Sequence, residues 1–214
     1  MILSRGRRYL FVHVPKTGGT AMALALEDRA MKDDLMVGDT PKALRRKGKL
    51  RGVETNGRLW KHSSISEAEG LFNREELAEL FIFTLVRNPW DRSVSYYHWL
   101  REQSFAHAAV ALAKAHDFDG FIREPETCAA LKTWPTRRYL TDGAGQERPA
   151  LCIRLEHLQQ DMVPLCAHLG FELALEWVNR SGRAADWRGY YCAQTRAMVA
   201  DACAEDIARF GYEF

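Results

Sequence analysis

The chain has 214 residues, of which 47% are hydrophobic, so it can bury a substantial core and is expected to form one domain over residues 1–214. Its 30 basic and 28 acidic side chains leave a formal net charge of only +2, which argues against a protein that holds nucleic acid by bulk attraction. No stretch approaches the roughly 18 apolar residues of a membrane helix, and the five cysteines contain no CxxC pair. These features predict a cytoplasmic protein with no integral membrane segment and no metal site.

Three strands, each followed by a helix, are predicted along the chain. Each strand is a short apolar run, and each helix begins after a turn signal. The predicted pairs are Tyr9–Val14 with Ala21–Met31, Leu80–Val86 with Asp91–Arg101, and Ala150–Leu155 with Gln159–Leu169. Gly170 is the expected C-cap of the third helix.

Buried strands that alternate with helices predict an α/β fold with a central parallel sheet flanked by helices. Val199, Cys203, Ile207 and Phe210 recur at helical spacing before Gly211, which predicts a C-terminal amphipathic helix packed on the sheet. Two polar segments, 33–58 and 104–148, are interpreted as insertions at the loop end of the sheet, where α/β folds place their ligands.

The segment between the first strand and its helix has the composition of a phosphate cradle. It reads Pro15, Lys16, Thr17, Gly18, Gly19 and Thr20. Two glycines let the backbone turn closely around an anion, and the N–H groups of the following helix point toward the same space. The lysine adds a mobile positive charge, and the threonine hydroxyls can donate to phosphate oxygens or cap the helix. The pattern is not a Walker A sequence, because the lysine precedes the glycines.

A second anion contact is expected where the second strand ends. Arg87 should project at the same edge of the sheet as Lys16, and a guanidinium there can grip a phosphate with two hydrogen bonds. Ser95, about two helical turns further along, can add a hydroxyl. Asp91 is interpreted as the ionic partner of Arg92.

His62 is the candidate general base. It lies just before a predicted short helix, where Ser64 and Glu67 have capping-box spacing. The positive end of a helix disfavours imidazolium, so the side chain is expected to stay neutral near pH 7, as a base must. A capping or packing histidine is the alternative interpretation, and Glu54 or Glu67 is the alternative base. His13, in the middle of a strand, is interpreted as a core residue.

Together the two motifs resemble the sulfotransferase family that includes heparan sulfate 2-O-sulfotransferase and its small bacterial relatives, sulfotransferase family 2. Residues 11–20 look like its 5'-phosphosulfate loop and residues 86–97 like its 3'-phosphate motif. The resemblance implies a single sulfotransferase domain with a three-layer, P-loop NTPase-like fold that uses 3'-phosphoadenosine 5'-phosphosulfate (PAPS). It implies that Lys16 to Thr20 hold the phosphosulfate and that Arg87 and Ser95 hold the 3'-phosphate. It further implies His62 as the catalytic base and a loop with Ser181 and Arg183 that closes over the nucleotide.

Two rival functions stay open on sequence grounds. A kinase-like phosphotransferase with ATP and magnesium would share the cradle, although the second strand ends in Arg87 where an acidic metal ligand would be expected. A non-catalytic sensor or adaptor would bind the nucleotide without turnover. The acceptor is expected to be a hydroxyl-bearing saccharide or small molecule, and the basic segment 45–51 is either an acceptor groove or a solvated face.

Overall fold

The computed structural model describes residues 1–175 and 186–214. The strands are β1 (Ile2–Ser4), β2 (Tyr9–Val12), β3 (Leu35–Met36), β4 (Phe81–Val86) and β5 (Leu151–Arg154). The helices are α1 (Gly19–Asp28), α2 (Pro41–Arg46), α3 (Ile65–Ala68), α4 (Arg74–Glu79), α5 (Pro89–Arg101), α6 (Ala108–Ala115), α7 (Phe118–Arg123), α8 (Pro125–Lys132), α9 (Thr136–Leu140), α10 (Leu158–Asp161), α11 (Val163–Leu169), α12 (Ala193–Ala202) and α13 (Ala204–Phe210). Short 3-10 turns lie at Lys47–Leu50, Leu155–His157 and Trp187–Tyr190.

The three predicted strands form the parallel centre of one five-stranded sheet, in the order β3-β1-β2-β4-β5. β2 pairs with β4 in parallel, with Val12 opposite Thr84, and β4 pairs with β5 in parallel. The Thr84 hydroxyl adds a side-chain link by donating to the Val12 carbonyl over 2.7 Å. The carboxyl ends of β2, β4 and β5 therefore point to the same edge of the sheet, which confirms the predicted α/β class.

The sheet is mixed rather than wholly parallel, because β1 and β3 add antiparallel pairs beside β2. β1 pairs antiparallel with both β2 and β3. The connection from β1 to β2 is only four residues, 5–8, and a turn of that length can join antiparallel strands but not parallel ones. Arg8 completes the turn with a φ of 51°. The sequence prediction began at Tyr9 and missed this hairpin.

The described residues divide into two compact units, 1–86 with 136–175 and 87–135 with 186–214. The first unit contains the sheet, and one sheet face packs against α1 and α11 through Phe11, Phe83 and Leu26 among others. Side chains on the opposite face, such as Leu10 and Ile82, are buried as well. Both faces of the sheet are therefore covered, as expected for central strands that are apolar throughout.

The second unit is helical, and its core joins α5, α6 and α7 to the C-terminal helices. Val94, Phe121 and Val199 are among its fully buried side chains. The predicted C-terminal helix is two helices, since the chain bends at Cys203 between α12 and α13, and Gly211 ends the second at a φ of 65°. Within the second unit, α12 packs against α5, α7 and α8.

The helix predicted over 159–169 is interrupted at Met162, which separates α10 from α11. Pro164, at the start of α11, has no N–H group with which to continue the hydrogen-bonded ladder of α10, which accounts for the break. Gly170 caps α11 with a φ of 76°, as predicted. Across the two described stretches, no helix combines the length and apolar character needed to cross a bilayer.

Candidate functional site

The loop from β2 to α1 has an unusual backbone at the predicted cradle. Lys16 has a φ of 65°, in the left-handed region, where a non-glycine residue costs about 1–2 kcal/mol and where functional residues are over-represented. Next to it, Thr17 is 1% exposed, and its hydroxyl donates to the Val14 carbonyl over 2.9 Å. Because that bond uses the only hydroxyl proton, Thr17 fixes the shape of the loop in this structure.

The N-terminus of α1 is open to an anion. Gly18, with a φ of 87°, is the N-cap, and no side chain caps the helix. Ala21 and Met22 make the first bonds to the Gly18 carbonyl, so the N–H groups of Gly19 and Thr20 precede the hydrogen-bonded ladder. The first turn contains no acidic side chain, and the helix dipole there is not compensated locally.

His13 packs directly beneath this helix start. A Cβ atom on Gly19 would lie 2.1 Å from the His13 ring, so only glycine fits there. The His13 side chain is 5% exposed and stacks near Phe11 at 5.7 Å between ring centroids, as expected for a core residue. Burial holds the pKa of His13 well below its usual range, and the nearby positive groups, including His62 when charged, lower it further.

His62 contacts the same loop. Its Nδ1 atom lies 2.8 Å from the His13 carbonyl oxygen, and the two rings meet edge to face at 4.5 Å. Since a carbonyl oxygen can only accept, Nδ1 carries the proton, and the neutral ring has its lone pair on Nε2. Trp60 packs edge to face on the other side at 5.0 Å. The structure therefore places the predicted base in contact with His13, which lies three residues before Lys16 in the chain.

The imidazole of His62 is neutral near pH 7. Burial is the largest cause and lowers the pKa to about 4, with further lowering from Lys61 and the chain's amino-terminal group. The bond to the His13 carbonyl and the charge of Asp39 act in the opposite direction. The predicted neutral state is borne out, but its main cause is burial rather than the helix terminus that was expected.

Neither carboxylate that was considered as an alternative base has a comparable setting. Glu67 accepts hydrogen bonds from the backbone N–H and the hydroxyl of Ser64, at 2.8 and 3.2 Å, and so completes the predicted capping box at α3. Glu54 is exposed to solvent. Both carboxylates remain weaker candidates than His62, because Glu67 is committed to the cap of α3 and Glu54 does not contact the cradle loop in any described hydrogen bond or ion pair.

The second predicted motif is ordered by an ion pair. Arg87 donates through Nε and Nη2 to one Asp91 oxygen, each at 2.7 Å, and the two side chains are only 10% and 14% exposed. The interpretation of Asp91 as the partner of Arg92 was wrong, because Arg92 donates to the Trp134 carbonyl and lies 3.9 Å from Asp206. The spacing of four residues between Arg87 and Asp91 was the available signal.

Ser95 lies a further four residues along α5, on the face that Asp91 occupies, and is half-buried. Asn88 caps this helix by accepting from the Trp90 N–H at 3.1 Å. Arg87 therefore lies just before α5 and Ser95 lies within it, so both belong to the same segment of the second unit. Ser181 and Arg183 lie outside the described residues.

Comparisons with known proteins find similarity only among solved structures. No protein-family model matches the sequence, and a search of curated proteins returns no match. Among solved structures, the chain is similar to the crystal structure of mouse sulfotransferase SULT7A1 complexed with PAP. The two are 16% identical over 96% of this chain and 85% of that one, with a TM-score of 0.48.

Proposed function

We propose that this chain is a sulfotransferase that moves a sulfuryl group from PAPS to a hydroxyl group of an acceptor. One observation carries the proposal: the 2.8 Å hydrogen bond that fixes a neutral His62 against the loop containing Lys16. A base and an anion cradle are then joined through a single residue, His13. Transfer to a hydroxyl needs both groups, one to take the proton and one to hold the departing phosphate.

The residues of the cradle fit an anionic group. Positions 15–20 contain one lysine, two glycines, two threonines and no carboxylate. The first turn of α1 supplies N–H groups and an uncompensated dipole. In the proposal, Lys16, Thr17, Gly18, Gly19 and Thr20 hold the 5'-phosphosulfate, and the Thr17 hydroxyl also keeps the loop in shape through its bond to Val14.

The proposed reaction is an in-line displacement. Nε2 of His62 takes the proton of the acceptor hydroxyl as its oxygen forms a bond to sulfur. The bond between sulfur and the bridging phosphate oxygen breaks, and the electron pair leaves with adenosine 3',5'-bisphosphate (PAP). Lys16 and the helix N–H groups stabilise the negative charge that develops on this oxygen. The scheme assigns no step to a metal ion.

The remaining assignments rest on the sequence resemblance. Arg87 and Ser95 are proposed to bind the 3'-phosphate, with Asp91 orienting the guanidinium through its two hydrogen bonds. Ser181 and Arg183 are proposed to close over the nucleotide. The acceptor is proposed to be a saccharide or another small hydroxyl-bearing molecule, in a single catalytic domain over residues 1–214.

Turnover of PAPS to PAP, measured with a panel of hydroxyl acceptors, tests this function. The His62→Ala variant is expected to lose at least a hundredfold in turnover but to retain nucleotide binding, as removal of a general base does. Lys16→Met is expected to lose both turnover and nucleotide binding. Lys114→Met, which replaces an exposed lysine on α6, is the matched control.

The rival functions predict different results. A kinase-like enzyme would turn over ATP with magnesium in preference to PAPS. A sensor or adaptor would bind PAP tightly, and His62→Ala would leave its function intact. Full turnover of PAPS by Lys16→Met would refute the role assigned to that lysine.

A further inference from the structure

A separate surface of the first unit is strongly basic. Residues 41–51 contain six cations and no carboxylate, although the whole chain has a net charge of only +2. They lie on α2 and the 3-10 turn after it, and most are exposed. We call this the basic surface, and it consists of Lys42, Arg45, Arg46, Lys47, Lys49 and Arg51 together with the apolar Leu44 and Met31.

The basic surface keeps most of its positive charge after its internal contacts are counted. Within the described stretches, none of the six cations forms an ion pair with a carboxylate. Three donate instead to backbone carbonyl oxygens: Lys42 to Glu27, Arg46 to Met31 and Lys49 to Lys32. A carbonyl oxygen carries no net charge, so these three bonds leave the positive charges in place. One buried carboxylate, Glu27, lies at the start of α2 and accepts from the backbone N–H groups of Lys42 and Ala43, so the surface keeps an excess of positive charge. The nearby Asp39 is already paired with Lys61 at 2.6 Å.

Two large apolar side chains stand among these cations. Leu44 is 56% exposed and Met31 is 41% exposed. The 2.7 Å bond from Arg46 to the Met31 carbonyl brings the two segments together. Exposed apolar groups surrounded by lysine and arginine are the combination that binds an anionic bilayer, where the cations meet headgroups and the apolar groups enter the interface.

From this charge complementarity we propose that the basic surface docks the protein on a membrane rich in anionic lipids. Nucleic acid is the less suitable partner, because residues 29–51 contain no aromatic side chain on which a base could stack. The six-residue helix α2 is also too short to fill a groove of a duplex. The proposal is independent of the sulfotransferase assignment, since none of these residues belongs to the cradle or to the His62 site.

Flotation of the whole protein with vesicles tests the proposal, comparing phosphatidylserine-containing with pure phosphatidylcholine vesicles. The protein is expected to bind only the former, and less as salt is raised above about 0.15 M. A triple variant, Arg45→Gln with Lys47→Gln and Arg51→Gln, is expected to bind about 100-fold more weakly. Leu44→Ala, which keeps every charge, is expected to lose roughly tenfold through reduced insertion.

A matched control removes the same charge elsewhere, with Arg74→Gln, Arg101→Gln and Lys114→Gln at exposed positions. Its vesicle binding should equal that of the unaltered chain. Equal loss in both triple variants, or equal binding to both kinds of vesicle, would overturn the proposal. It would also be overturned if the basic-surface variant lost affinity for single-stranded RNA while the unaltered protein ignored vesicles, since the partner would then be a nucleic acid.

Discussion

His62 donates from Nδ1 to the carbonyl oxygen of His13, and His13 in turn packs its ring against Gly19 at the start of α1. This contact fixes the imidazole in one neutral tautomer, with Nε2 as its basic atom. It also ties the candidate base to the loop that carries Lys16. A displaced His13 should therefore disturb both the base and the cradle.

The titration of His62 can be measured directly by NMR. Its pKa is expected to be about 4, chiefly because burial disfavours the charged ring. Lys61→Met should raise this pKa, because it removes a nearby positive charge and leaves Asp39 without its partner. Lys114→Met, which removes a distant lysine, should leave it unchanged. A His62 that titrates near its ordinary value in the folded protein would contradict the proposed burial.

Protein stability should fall as pH drops from about 6.5 to about 4. In this range the unfolded chain protonates His62 while the folded chain does not, so the free energy of unfolding decreases as pH falls. The full effect of this group is about 3 kcal/mol. His62→Gln removes the titrating group, and its stability should depend less steeply on pH in urea titrations. His157→Gln, at an exposed histidine, is the control for removing an imidazole ring. If the free energy of unfolding depended on pH identically in the unaltered chain and in both variants, the proposed contribution of His62 would be ruled out.

Gly19 should tolerate no side chain. An added Cβ atom would lie 2.1 Å from the His13 ring, so Gly19→Ala is expected to cost about 2 kcal/mol or more in urea unfolding. The same variant should shift the NMR signals of His62, because it displaces the carbonyl that holds it. Gly48→Ala is the matched control, since no atom lies within 4 Å of its added Cβ. A fully stable Gly19→Ala protein would show that His13 is not packed as described.

The Arg87 and Asp91 side chains should be energetically coupled. Because the pair is largely buried, Asp91→Asn takes a close carboxylate away from the Arg87 guanidinium and is expected to destabilise the fold by about 3 kcal/mol. A double-mutant cycle with Arg87→Met should give a coupling free energy of about 1–3 kcal/mol. The exposed pair Arg123 and Asp119 has the same spacing and supplies the comparison. Equal coupling in both pairs would contradict the burial argument.

Local sequence signals predicted the parallel centre of the fold well. Apolar runs located β2, β4 and β5 to within two residues, because central strands buried on both faces have no polar alternation. The strand β1 is only three residues long and β3 only two, so neither is long enough to show the hydrophobic pattern of a strand in the sequence. The break at Met162 was indicated by Pro164, which is visible in the sequence, whereas the packing partners of α12 depend on tertiary contacts that periodicity does not record.

The sequence predicted which residues form the candidate site, but not which of them contact one another. The cradle motif and the Ser64 capping box are local, and the structure reproduces their local backbone. The bond between His62 and His13 spans 49 residues of sequence, and no local pattern indicates it. Asp91 was assigned to the adjacent Arg92 when helical spacing favours Arg87, since neighbours in sequence point to different sides of a helix.

Calorimetric titration with PAP tests the central claim most directly, with 5'-AMP and ATP with magnesium as comparison ligands. The account predicts tight binding of PAP that requires the 3'-phosphate and is lost in both Lys16→Met and Arg87→Ala. Absence of PAP binding, or a preference for ATP with magnesium, would contradict the proposal that this chain is a PAPS-dependent sulfotransferase.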